Sequence, residues 1–162
     1  MTPVLRPASD SDRDIVLSWR NHPDVRAVSL TTHEILPEEH AKWWEAATAD
    51  PQRHIMIFAE ETRDCGVVIF DLREDPSSWS FYLDVEGLDG KLLPAWMRLE
   101  QAAVEYAFGP LGLTRLGGET LAANKQVIAL HRRFGFLEKR RYERLIDGVP
   151  QTVVWTERGT DQ

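Results

Sequence analysis

The stretch Glu119-Thr120-Leu121-Ala122-Ala123-Asn124, followed by Ala129-Leu130-His131-Arg132-Arg133-Phe134-Gly135-Phe136, decides how the rest of the chain is organised. Its first part closes a strand-like run over 113–121, and Asn124 then stands where a helix N-cap belongs. Val127, Leu130, His131 and Phe134 recur at helical spacing, and Gly135 is placed to cap the C-terminal end. Upstream, Leu92, Trp96, Leu99, Ala103 and Ala107 form one apolar stripe, which predicts a long helix over 91–108 that Gly109-Pro110 stops. Glu86-Gly87-Leu88-Asp89-Gly90 reads as a loop before it.

Further toward the N-terminus, strand-like runs cover 54–60, 66–72 and 79–85, the first two forming a hairpin around Arg63-Asp64. Residues 3–6 predict a first strand, and Ser9-Asp10-Ser11-Asp12 offers N-caps to a helix carrying Ile15, Val16, Leu17 and Trp19. A short helix over 24–28 and a longer one from Pro37-Glu38-Glu39 to Ala49 follow. Downstream, 136–146 and 152–156 predict a second hairpin around Asp147-Gly148-Val149-Pro150. The order β-α-α-α-β-β-β-α-β-α-β-β, without repeats or an internal linker, implies the α/β (α+β) class, with one domain over 1–162 and one mixed sheet flanked by helices.

Composition narrows the function classes. The 162 residues are 43% hydrophobic, enough for a sizeable core, and carry a formal net charge of −7. That balance argues against duplex nucleic acid as a partner, since binding it takes a basic face to neutralise phosphates. No window reaches the roughly 20 apolar residues of a membrane span. Cys65 is the single cysteine, so an intrachain disulfide and a thiolate zinc cluster are excluded. With no apolar leader at the start, a cytoplasmic protein is the expectation. His33, His40 and His54 lack companions at ligand spacing, so no metal is expected.

The two quoted segments resemble a motif pair of the GNAT superfamily of acyl-CoA-dependent N-acyltransferases, a strand E-V-x-x-x-N followed by A-x-x-L-(Y/H)-x-(K/R)-x-G-F. The resemblance covers nearly the whole chain and implies a mostly antiparallel mixed sheet with acetyl-CoA as co-substrate. Trp19-Arg20-Asn21-His22-Pro23, His40-x-x-Trp43 and Trp79-Ser80-Phe81-Tyr82-Leu83 resemble a smaller branch of it. That branch includes the enzyme acetylating a UDP-linked 4-amino sugar in pseudaminic acid biosynthesis and ribosomal-protein N-terminal acetyltransferases. The acceptor implied is a small-molecule primary amine, an amino sugar or its nucleotide-linked form, with a protein N-terminus or an antibiotic amine as the alternative. Homodimers are common in the family. The cofactor loop departs from the family's (R/Q)-x-x-G-x-(G/A): here Val85-Glu86-Gly87-Leu88-Asp89-Gly90 keeps only the last glycine, and Asp84, Glu86 and Asp89 add negative charge. A loop that still holds a CoA-type pyrophosphate is the expectation; a weakened site, or a degenerate module that binds without catalysis, is the alternative, with this departure as its only support.

Acetyl transfer needs a neutral amine, a polarised thioester carbonyl and a leaving thiolate that is protonated. The resemblance offers Glu119 as general base acting through water; the competing reading pairs it with Arg115 or Arg141 on the surface. His131 stands where the family has a tyrosine that protonates the sulfur, and an imidazole can donate that proton; the competing reading is a packed helix histidine bonded to a carbonyl. Tyr142 is the second candidate acid. For the cofactor the candidates are Leu83 and Val85 (through backbone N–H groups at the carbonyl), Gly90, Lys91 and Leu92 at the loop and helix start, Asn124, and Arg132. For the acceptor they are Trp19, Arg20, Asn21, His40, Trp43 and Trp79, an aromatic wall with Arg20 able to grip a phosphate or carboxylate. Core packing for the tryptophans, and N-cap or ion-pair contacts with Asp12, Asp14 and Asp24 for the basic residues, are the competing readings.

Overall fold

The computed structural model describes residues 4–160, and its strands form one seven-stranded sheet in the order β1-β2-β3-β4-β5-β7-β6. The first four strands, β1 (Val4–Pro7), β2 (Arg53–Glu60), β3 (Arg63–Asp71) and β4 (Ser77–Leu83), are an antiparallel meander. Strand β5 (Arg115–Leu121) pairs antiparallel with β7 (Val149–Gly159), which also pairs with β6 (Leu137–Ile146). The two antiparallel groups meet along β4 and β5, which run parallel and pair only at Ser77–Leu116 and Ser78–Gly117. Beyond Ser78 the two strands leave their ladder, and the sheet opens there.

Alternation along the strands assigns the two faces. Met56, Phe58, Val68, Phe70, Trp79, Leu83 and Leu116 pack with Leu99, Ala103 and Ala107 of helix α5 (Leu92–Phe108). On the opposite face Ile55, Ile57 and Val67 pack with Val16 and Trp19 of α1 (Arg13–Arg20) and Trp44 and Ala47 of α3 (Pro37–Ala49). Each Val, Leu, Ile, Phe or Met side chain fully buried in these clusters contributes about 1.5–3 kcal/mol. Helix α2 (Pro23–Ala27) leads from α1 toward the loop that crosses the open end of β4 and β5.

The element order expected from sequence is present, with local differences. The 86–90 region is a one-turn helix, α4 (Val85–Leu88), because the Asp84 carboxylate caps it by accepting from the Gly87 N–H at 3.0 Å. Only then does the chain turn through left-handed Asp89 (φ 41°) and Gly90 (φ 80°). Arg63 and Asp64 already belong to β3, and Glu61 (φ 56°) makes the turn instead. Ser9 precedes a short 3-10 turn over Asp10–Asp12 before α1 begins. Strand β7 is longer than 152–156 and includes Pro150; β5 pairs with β7 only from Val153 onward, so the proline costs no ladder bond on that side. The predicted first strand's Pro3 lies outside the described residues. Among the described residues no helix is long and apolar enough to cross a membrane.

Candidate active site

A cavity of about 440 Å³ occupies the gap where β4 and β5 part. It is lined from both faces of the sheet. On the α5 face lie Phe81, Leu83, Val85, Leu92, Trp96 and His131, together with Asn124, Gln126 and Val127 from the start of α6 (Lys125–Arg133). From the α1 face come Arg20, Tyr82, Glu119 and Leu121, joined by Val25 and the segment from Val28 to Thr31. Gly118 keeps the gap tight at its closed end: a Cβ there would stand 3.0 Å from the Trp79 carbonyl oxygen and 3.3 Å from its ring.

The α5 side holds a buried acid–imidazole pair. His131 Nδ1 and Glu100 Oε1 share a hydrogen bond of 2.7 Å, with the residues 5% and 0% exposed. Trp79, Phe81 and Phe136 surround the imidazole at ring-centre distances of 5.4, 5.9 and 5.7 Å. Nδ1 being occupied, Nε2 is the nitrogen left for the cavity that His131 lines. The packed-histidine reading is half right: the residue is buried, but its partner is a carboxylate rather than a carbonyl. Glu100 was absent from the sequence candidates. Its signal was its position, one turn after Trp96 and directly after Leu99, a carboxylate on the apolar stripe of α5.

Around the cofactor side, the N-terminal turns of α5 and α6 both border the cavity through Leu92 and Asn124. First-turn N–H groups have no partner inside their own helix, which suits an anion. Asn124 occupies the N-cap position of α6, yet its side chain makes no cap bond, contrary to the sequence expectation, and it lines the cavity instead. Leu83, Val85 and Leu92 line it as well, while Gly90, Lys91 and Arg132 lie exposed beyond its wall. The negative charge of Asp84 is offset by Arg63 at 3.2 Å.

On the α1 face Glu119 is held from two sides. The Tyr142 hydroxyl donates to Oε2 at 2.5 Å and Arg144 Nη1 donates to Oε1 at 2.7 Å. Neither Arg115 nor Arg141 is its partner; they pair with Glu157 and Glu138. Partial burial and the carboxylate push the Tyr142 phenol up to about 12. Tyr142 is therefore tied to Glu119 and does not line the cavity. Arg144 was missed, because nothing in sequence links β6 to a carboxylate 25 residues earlier.

The acceptor candidates divide. Arg20 lines the cavity; its Nη2 donates to the Thr31 carbonyl and hydroxyl at 2.7 and 2.6 Å, Nη1 has no partner, and burial pulls the guanidinium below its ordinary value. Trp79 lines it too, packed against the imidazole. Trp43 and Glu119 border an adjoining cavity of about 420 Å³ that also reaches Ile69, Ser78 and Trp155. Trp19, by contrast, is 4% exposed and fills the core beneath α1. Asn21 is a brace: its amide donates to the Ile35 carbonyl at 2.9 Å and accepts from the Ile35 N–H at 2.8 Å. His40 is buried, donates from Nε2 to the Arg13 carbonyl at 2.8 Å and packs on Trp43 and Trp44. These three do not line the cavity. Cys65 is buried, and burial raises its thiol further from ionisation.

The sheet is split between two parallel strands, with helix N-termini bordering the cavity on one face and a held carboxylate on the other. Residues 4–137 match the family model described as the acetyltransferase (GNAT) domain, and the chain belongs to that family, whose acyl donor is acetyl-CoA. No curated protein matches the sequence. Among solved structures, the chain is similar to spermidine N-acetyltransferase from Vibrio cholerae in complex with CoA and spermine. The TM-score is 0.85 at 16% identity, covering 99% of this chain and 96% of that one. It is also similar to a candidate phosphinothricin N-acetyltransferase, with a TM-score of 0.81 at 21% identity over 99% and 100% of the chains. A domain from Methanocaldococcus jannaschii follows at a TM-score of 0.76 and 20% identity over 98% of each chain.

Proposed function

We propose that this acetyltransferase moves the acetyl group of acetyl-CoA to the primary amine of a small molecule by direct attack in a ternary complex. The observation that carries this reading is the cavity lined from both faces of the sheet, which joins a side bordered by helix N-termini to a side bordered by Glu119 and Arg20. The acyl donor occupies the α5 side, its anionic arm toward the first turns of α5 and α6 and its thioester near Leu83 and Val85. The acceptor enters from the α1 side. Its nitrogen attacks the carbonyl carbon as the C–S bond breaks; the amine proton passes through water to Glu119, and the thiolate takes a proton from His131 Nε2. Tyr142 and Arg144 keep the Glu119 carboxylate aimed at the gap.

An amino sugar, free or nucleotide-linked, is the acceptor class we favour, in a cytoplasmic setting. The resemblance to the amino-sugar branch supports it, and so do the aromatic rings of Trp43 and Trp155 beside Glu119 and the guanidinium of Arg20 at the acceptor side. Spermidine, the substrate named for a structural neighbour, is a polycation that the Arg20 guanidinium opposes in a cavity Asp24 and Glu119 also line. The test is a panel of amines incubated with acetyl-CoA, read by thiol release and mass of the product: amino sugars, their phosphorylated and nucleotide-linked forms, spermidine, and an N-terminal peptide. Amino-sugar forms are expected to lead. Acetylation of spermidine or the peptide alone would replace this acceptor class.

A further inference from the structure

Glu100 is the least accessible ionisable side chain described, at 0% exposure on a helix face otherwise built of Leu99, Ala103, Val104 and Ala107. Its Oε1 meets His131 Nδ1 at 2.7 Å, and its Oε2 has no hydrogen-bond partner. No arginine or lysine compensates it among the described residues, so His131 is its single charged or chargeable partner. An unpaired carboxylate in such a place is strongly disfavoured. The pair is far less costly when neutral overall. That condition is met when the two residues hold two protons, one shared between Oε1 and Nδ1 and one on Nε2. The second proton is then presented from the nitrogen that Glu100 leaves free, wherever the shared proton sits.

We infer that Glu100 is the positioning residue for His131, fixing the imidazole through Nδ1 so that Nε2–H is offered to the cavity as the proton donor of the transfer step. This rests on the proposed acetyl transfer, in which the thiolate gains that proton as the C–S bond breaks. The ring walls of Trp79, Phe81 and Phe136 complete the arrangement by leaving the imidazole no other polar neighbour among the contacts described. A merely structural Glu100 would be replaceable by a side chain of its own shape; a positioning one would not.

The test uses Glu100→Gln, which keeps the shape, and Glu100→Leu, which removes the polar partner, with melting curves to show that each folds. Nitrogen-15 spectra of the His131 ring read the protonation of both nitrogens directly, with or without substrate. In the parent Nε2 is expected to carry a proton, and Nδ1 to show the proton it shares with Glu100 Oε1. In Glu100→Gln the shared-proton signature at Nδ1 is expected to be lost, with kcat falling about tenfold to a hundredfold and the Kd for acetyl-CoA changing less than threefold. Glu100→Leu should lose at least as much. Unchanged ring spectra, or kcat within threefold of the parent in Glu100→Gln, would overturn the inference. If the parent acetylates no amine while its ring spectra still depend on Glu100, the transfer step assigned to the pair fails along with the proposed activity. The donor geometry would then stand alone, so the two failures are told apart. Should Glu100→Leu not fold, Glu100→Gln decides.

Discussion

The two faces of the split sheet present proton-handling groups in opposite ways. On the α5 face, His131 and Glu100 are buried together in an aromatic box with no other charge in contact. Across the gap, Glu119 is partly exposed and held by Tyr142 and Arg144 from a hairpin that follows it by more than twenty residues. The contrast fits the chemistry proposed for each side. A leaving thiolate needs a donor kept away from water, whereas an arriving ammonium must lose its proton to water, so its base stays in contact with solvent. It follows that the buried side should be sensitive to single atoms and the open side more tolerant.

The largest expected effect is on the buried side. His131→Ala should lower kcat about 10²–10³-fold while the Kd for acetyl-CoA changes less than threefold. A kcat within threefold of the parent would remove His131 from the mechanism and break the contrast between the faces. Glu119→Gln should cost about 10–100-fold in kcat/KM, measured by initial rates with a saturating acyl donor. Equal losses at His131 and Glu119 would show that the faces do not differ in tolerance. Arg20→Gln is expected to raise the KM for an anionic amine about tenfold, and an unchanged KM would take Arg20 out of the acceptor side.

Tyr142→Phe is the mildest, about threefold in kcat, because Arg144 still holds Glu119. It also has a pH signature. The folded-state phenol lies at about 12, above its ordinary 10.0, so its contribution to stability is complete below about pH 10 and is lost as the pH rises toward 12. Denaturation midpoints of the parent should therefore fall more steeply over that window than those of Tyr142→Phe. Parallel curves would contradict the hydrogen bond to Glu119.

Much of the fold was legible because its signals are local. Pro37-Glu38-Glu39 is a local helix-start signal and opens α3, and the stripe from Leu92 to Ala107 has one period. The turn at Glu61 and the one-turn helix α4 were not, since each depends on a single residue's left-handed backbone or on one carboxylate cap. Legibility of the site followed the same division. His131 and Asn124 sit on a contiguous motif, and both line the cavity. The acceptor residues Trp19, Asn21 and His40 were misplaced because a helix pattern cannot tell which side of an amphipathic segment meets a cavity and which meets the sheet. Tyr142, Arg144 and Glu119 come together only through the register of β6 on β7 and of β7 on β5, in which Tyr142 faces Val153 and Val153 faces Leu121. No local pattern encodes that sum of two registers. Glu100 carries a local signal of its own, since a charged residue inside an apolar stripe calls for a buried partner.

The claim that most depends on the altered Val85–Gly90 segment is that the α5 side of the cavity still holds an acyl donor. Calorimetric titration with acetyl-CoA, alongside desulfo-CoA and adenosine 3′,5′-bisphosphate, tests it most directly. Micromolar binding, about −8 kcal/mol, retained by desulfo-CoA and weakened for the bisphosphate that lacks the pantetheine arm, is the predicted result. No heat up to millimolar acetyl-CoA would contradict it and leave a GNAT fold that no longer takes its donor.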